Sequence, residues 1–94
     1  MKIMVCCGSG LGSSFMIQMN VEKILKELSV SGVEVDHCDL GSAKGSGADV
    51  FVGTRDIAGE LQQIGKPVIS LTNMLDQDNL RTQLNEVLAK EGIL

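Results

Sequence analysis

The sequence predicts a doubly wound α/β domain: a four-stranded parallel sheet, strand order 2-1-3-4, with helices on both faces. Three observations predict it. Short apolar runs at Lys2–Cys6, Val33–His37, Ala48–Gly53 and Val68–Leu71 alternate with helix-patterned segments, and such alternation implies parallel strands joined by right-handed crossovers. A Gly-rich turn, Cys7-Gly8-Ser9-Gly10-Leu11-Gly12-Ser13-Ser14, joins the first strand to the first helix. In an open α/β sheet, ligands bind at the carboxyl ends of the strands, near the switch point between strands one and three. Finally, 44% of the 94 residues are hydrophobic but only 2% aromatic, which fits one small folded domain, residues 1–94, with an aliphatic core.

The first strand, Lys2-Ile3-Met4-Val5-Cys6, is short and apolar and reads as buried. Side chains alternate along a strand, so Cys6 is expected in the core and Cys7 in the loop. Ser14 to Ser29 reads as the first helix, with Ile17, Val21, Ile24, Leu25 and Leu28 on one face. Met16 and Met19 are expected to widen that stripe as core filling, and Ser31-Gly32 to end the helix. Val33-Glu34-Val35-Asp36-His37 alternates as an edge strand. His37, the only histidine, lies near Asp36 and Asp39 and is expected to be a surface or edge residue without a catalytic part.

Leu40 to Gly47 reads as a loop. Ala48 to Gly53 is the third strand, Thr54-Arg55-Asp56 a turn, and Ile57 to Gln63 a short helix with Gly59 as its weak point. Gly65-Lys66-Pro67 turns the chain into the fourth strand, where Pro67 fits the first position. Thr72-Asn73-Met74-Leu75 then crosses to a last helix. Asp76 and Asp78 suit its N-terminus, Leu80, Leu84, Val87 and Leu88 its buried face, and Lys90 its end. Thr54, Arg55, Asp56, Thr72 and Asn73 should share the rim with the first loop.

The loop carries the chemistry. A Gly-rich strand-to-helix turn aims backbone N–H groups and the positive end of the helix dipole at one point, which is an anion site. Gly8, Gly10 and Gly12 allow close backbone approach. With Ser9, Leu11, Ser13 and Ser14 they form the candidate phosphate-binding stretch, and either Ser13 or Ser14 is placed to cap the helix. A cysteine at the first position puts a thiol inside that site, where the thiolate is favoured. All 12 acidic residues lie at or after Glu22, so no carboxylate near the loop in sequence competes with a phosphate. The loop lacks Gly-x-x-x-x-Gly-Lys-Ser/Thr and the Gly-x-Gly-x-x-Gly spacing, which excludes the nucleotide and dinucleotide fingerprints. The chemistry that fits is a thiolate nucleophile for phosphoryl transfer, with Cys7 as the catalytic residue. A structural cysteine in a tight turn is the alternative.

Composition narrows the remaining classes. A net charge of −4 argues against nucleic acid or an anionic membrane surface as main partner. No apolar run approaches the ~18 residues of a membrane span, and no signal-peptide pattern opens the chain. Three cysteines, two of them adjacent, make no disulfide framework, so a cytoplasmic setting fits. Cys6-Cys7 has no metal-ligand spacing and His37-Cys38 is a single adjacent pair, so no metal or other cofactor is expected.

The stretch Cys7 to Ser14, followed by Met16, Met19 and Val21-Glu22-Lys23, resembles the IIB components of the bacterial sugar phosphotransferase system. It is most similar to their ascorbate-type branch, whose phosphocysteine loop runs Cys-Gly-x-Gly-x-Gly-Ser-Ser. Gly59-Glu60 and Asn73-Met74-Leu75 also look like that branch, so the likeness spans essentially the whole chain. The resemblance implies that Cys7 accepts a phosphoryl group from a phosphohistidine on a IIA partner. The group then passes to a sugar acid carried by the membrane IIC permease, with L-ascorbate the sugar of that branch. Such a carrier must dock partners around its loop, and Leu11 and Phe15 are the candidate contacts; core filling is the other reading of Phe15.

Low-molecular-weight tyrosine phosphatases are also similar, in fold type and in a Cys-initiated phosphate loop. They place an arginine six residues after the cysteine, where this chain has Ser13. Without that guanidinium the loop lacks the bidentate clamp a hydrolase uses, and Asp56 is the one rim candidate for a general acid. A third class, a non-enzymatic anion-binding or redox-sensing domain using Cys7 reversibly, fits the loop as well.

Overall fold

In a computed structural model, which describes residues 1–7, 11–72 and 76–93 (for 7 and 11–14 the backbone alone), eight elements follow one another. They are β1 (Lys2–Cys7), α1 (Leu11–Glu27), β2 (Glu34–Asp39), α2 (Leu40–Ala43), β3 (Val50–Thr54), α3 (Arg55–Gln62), β4 (Val68–Leu71) and α4 (Gln77–Lys90). All strand pairs are parallel and the order is β2-β1-β3-β4, as the alternating pattern predicts.

The period of two along each strand divides the apolar residues between two cores. Ile3 and Val5 of β1 join Val50, Val52, Ile69 and Leu71 beneath α1 and α4, which supply Ile17, Val21, Ile24, Leu25, Leu80, Leu84 and Leu88. Met4, Cys6 and Phe51 face the opposite way, against Ala43, Ala48, Ile57 and Leu61. This second layer is thin, built on the short helices α2 and α3, and it depends on small residues. Gly53 shows why: a Cβ there would stand 2.7 Å from Leu61 Cδ1, so only glycine lets α3 lie this close to β3.

Several boundaries differ from the sequence reading, each for a local reason. Helix α1 begins at Leu11, so Ser13 and Ser14 lie inside its first turn and neither caps it. It ends at Glu27, before Ser31-Gly32, because Ser29 takes a left-handed conformation (φ 57°). There the Val30 N–H reaches Leu25 O at 2.9 Å and the Ser29 N–H reaches Lys26 O at 3.1 Å, the paired bonds of a Schellman end. Helix α4 stops in the same way, with Gly92 at φ 78°. The expected loop at Leu40 opens with helix α2, because Asp39 caps it by accepting the Ser42 N–H at 2.8 Å. Thr54-Arg55-Asp56 is no separate turn, since β3 runs directly into α3. Asp76 does cap α4, accepting from the Asn79 N–H at 3.1 Å.

Candidate functional site

The carboxyl ends of the four strands form one rim, and β1 reaches it between β2 and β3. Its last residue, Cys7, pairs in register with Asp39 of β2, and α1 starts four residues further on, at Leu11. The N–H groups of a helix's first turn have no acceptor within the helix. In α1 that turn includes Leu11, Gly12 and Ser13, and it holds no acidic residue. The Cys7 side chain, Gly8, Ser9, Gly10 and the side chains of Leu11, Ser13 and Ser14 lie outside the described residues. So does Asn73.

The rest of the rim is charged and polar. The Asp39 carboxylate turns into the N-terminus of α2, and its hydrogen bonds from Ser42 hold its pKa below the usual value. At the start of α3 the Thr54 hydroxyl donates to Asp56 Oδ1, while Arg55 and Thr72 are exposed. Asp56, the rim carboxylate a hydrolase would need, is therefore already engaged by a neighbour. Cys6 is fully buried, the core residue its strand position implies.

Beside the rim, α1 presents an apolar surface. Phe15 is 53% exposed, Met16 46% and Met19 56%, so the two methionines are not core filling. Helix geometry gives the reason. At 3.6 residues per turn, Met19 stands about 200° around the helix from the buried Ile17, with Phe15 beside it. Phe15 is likewise outside the core.

Its ring meets His37 edge-on, centroids 6.0 Å apart and planes at 86°. His37 sits on the edge strand β2, as its alternating segment suggests, and sequence reasoning missed the residue that holds it. Gln18 donates through Nε2 to Val35 O at 3.1 Å, which turns its Oε1 toward His37 Nδ1. That oxygen only accepts, so the ring carries a proton on Nδ1. The signal for Gln18 is its place one turn past Ser14 on the helix that crosses β2; strand pairing is needed to see it. Among the described residues no group of three His, Cys, Asp or Glu is placed to hold a metal ion. No helix among them is long and apolar enough to cross a membrane.

Residues 2–86 match the family model described as the lactose/cellobiose-specific IIB subunit of the phosphotransferase (PTS) system. The chain is 30% identical over 91 residues to the ascorbate-specific PTS system EIIB component of Mycoplasma pneumoniae, covering 94% of this chain and 95% of that protein. It is 34% identical over 90 residues to the component of the same name from Escherichia coli O157:H7, covering 93% and 88%. Among solved structures, the lactose-specific IIB component domain of Streptococcus pneumoniae superposes with a TM-score of 0.67 at 18% identity, over 95% of each chain. That last likeness is one of fold.

Proposed function

Since this chain belongs to the lactose/cellobiose-specific IIB family of the phosphotransferase system, we propose that Cys7 is the residue on which it carries phosphate, and L-ascorbate the sugar it serves. IIB components are phosphotransferase components, and they work between a IIA and a IIC partner. The proposed donor is a phosphohistidine on IIA. The thiolate of Cys7 attacks phosphorus in line, the P–N bond breaks toward the imidazole, and an S–P bond forms. The phosphoryl group then leaves sulfur for a hydroxyl of the sugar acid bound by the IIC permease. All 94 residues act as one domain in this reading, at the cytoplasmic face of the membrane. The names of the relatives at 30% and 34% identity support the choice of ascorbate.

The observation that carries the reading is the place of Cys7. It closes β1 at the switch point, four residues before the N-terminus of a 17-residue helix with no carboxylate in its first turn. A dianionic phosphoryl group is favoured there by the helix dipole and the first-turn amides of α1. A carrier must also keep water from its phosphocysteine. Ser13, where a phosphatase has arginine, and Asp56, already bound by Thr54, both favour holding the group over hydrolysing it.

Docking falls to Leu11 and to Phe15, with Met16 and Met19 continuing the surface away from the loop. The test of the carrier is intact mass after incubation with phosphorylated IIA. The native chain gains about 80 Da; Cys7→Ser gains nothing, because a serine hydroxyl is not ionised at neutral pH, and Cys6→Ser keeps most of the gain. A full gain in folded Cys7→Ser overturns the reading.

A further inference from the structure

Phosphoryl transfer uses neither Cys6 nor Cys38, yet the sheet brings them together. They are register partners on the neighbouring strands β1 and β2, both turned toward the layer of α2 and α3, and their sulfurs stand 3.6 Å apart in a thiol–thiol hydrogen bond. Neighbouring strands lie about 4.8 Å apart, within the ~4.4–6.8 Å between Cα atoms that a disulfide spans. Bonding distance is therefore reached by side-chain rotation, without moving a strand. Access is unequal. Cys6 is fully buried, whereas Cys38 is partly exposed on an edge strand.

We propose that Cys6 and Cys38 form a peroxide-oxidisable dithiol that closes to a disulfide one residue before Cys7. A hydroperoxide first reaches Cys38, whose sulfur takes one peroxide oxygen as the O–O bond breaks. This gives Cys38–SOH and one molecule of water or alcohol. The Cys6 sulfur then attacks the Cys38 sulfur, the S–O bond breaks, and the hydroxyl leaves as water with the Cys6 proton. Two electrons pass from the pair to the peroxide, and a thiol reductant returns them.

The surroundings set how readily this happens. Burial pushes the Cys38 thiol pKa up; Asp39 and Asp36 add to the rise, while the Cys6 hydrogen bond and Lys2 oppose it. Helix α2, packed against the pair, contributes no charged residue. Thiolate is the reactive form, so the pair is slow at neutral pH and faster in alkali. Contact with a neighbouring thiol still directs the sulfenic acid to a disulfide and away from further oxidation.

The inference rests on strand register and not on the phosphocarrier reading, so the test removes Cys7. Folded Cys7→Ser protein, or Cys7→Ala if the serine variant does not fold, is treated with hydrogen peroxide, and its intact mass is measured under denaturing conditions. The expected result is a loss of about 2 Da, restored by a thiol reductant, with both cysteines blocked to alkylation until then. Adding Cys38→Ser abolishes the loss, and raising the pH from 7 to 9 speeds it. Disulfide-linked dimers in its place, a gain of about 32 Da on Cys38, or thiols that stay reduced while the urea-unfolded protein oxidises would each overturn the proposal.

Discussion

Replacing Gly53 by alanine tests how tightly the thin layer of the fold is closed. The new Cβ would stand 2.7 Å from Leu61 Cδ1 and 3.2 Å from Cδ1 and Cγ1 of Ile57. Carbon atoms pack best at about 3.5–4.0 Å, so the first contact is short by roughly an ångström and the other two by about half that. Leu61 is fully buried and Ile57 is 6% exposed, so their side chains have little room to move aside. Overpacking of this kind costs about 1–3 kcal/mol, and the reduced freedom of the unfolded chain returns about 0.4–1 kcal/mol. A net loss of about 1–2 kcal/mol lowers Tm by roughly 4–16 °C in a domain of this size.

Thermal and urea unfolding followed by circular dichroism measure it, with an unchanged m-value showing that the unfolded state is the same. Trimming the obstacle should restore part of the loss, so Gly53→Ala with Leu61→Val should be more stable than the sum of the single changes. A Tm within about 1 °C of the native protein, or strict additivity in the double variant, would refute the close packing of α3 on β3.

Three further outcomes follow from the same structure. Ser29→Gly relieves a left-handed non-glycine residue (φ 57°) and should raise stability by about 0.5–1 kcal/mol; a lowered Tm would show that Ser29 is not strained there. Cys7→Ser should end phosphoryl acceptance while Cys6→Ser retains most of it, read by mass after incubation with phosphorylated IIA. Phe15→Asp and Leu11→Asp, each first shown to fold, should slow acceptance from IIA at least tenfold at limiting donor. Native rates in both would remove this surface from the docking path and leave Cys7 as acceptor.

The sequence shows best what depends on apolar periodicity. Val68–Leu71 has the bounds it predicts, and the strand order follows from alternating elements. The exposure of Met19 is legible from the angle around the helix, since two residues past Ile17 is the far side of α1, while Met16, about 100° from Ile17, lies at the flank of the buried stripe. Other features depend on local chemistry that periodicity does not report. Helix α2 spans four residues, too few for a pattern, and only its Asp39 cap announces it. Serine at 29 gives no hint of a left-handed helix end, whereas Gly92 in the same motif does. The Gln18–His37 bond and the Cys6–Cys38 contact need strand register, because they join residues 19 and 32 positions apart.

Phe15 and Phe51 show how this chain divides its apolar residues between a buried core and an open surface. They are its only two aromatics; Phe51 is 1% exposed and Phe15 53%. Burying such a side chain is worth about 1.5–3 kcal/mol, against a total stability of about 5–15 kcal/mol for a domain. Leaving Phe15, Met16 and Met19 outside therefore forgoes a sizeable part of what a small core supplies. The Phe15 ring is not left unsupported: His37 meets it edge-on, and Gln18, tied through Nε2 to Val35 O, holds His37 through Oε1. A ring fixed in the open loses less freedom on binding than a mobile one. Methionine beside it adapts to differently shaped partners. If the chain meets IIA and then IIC on this face, as proposed, both properties serve one surface next to Cys7.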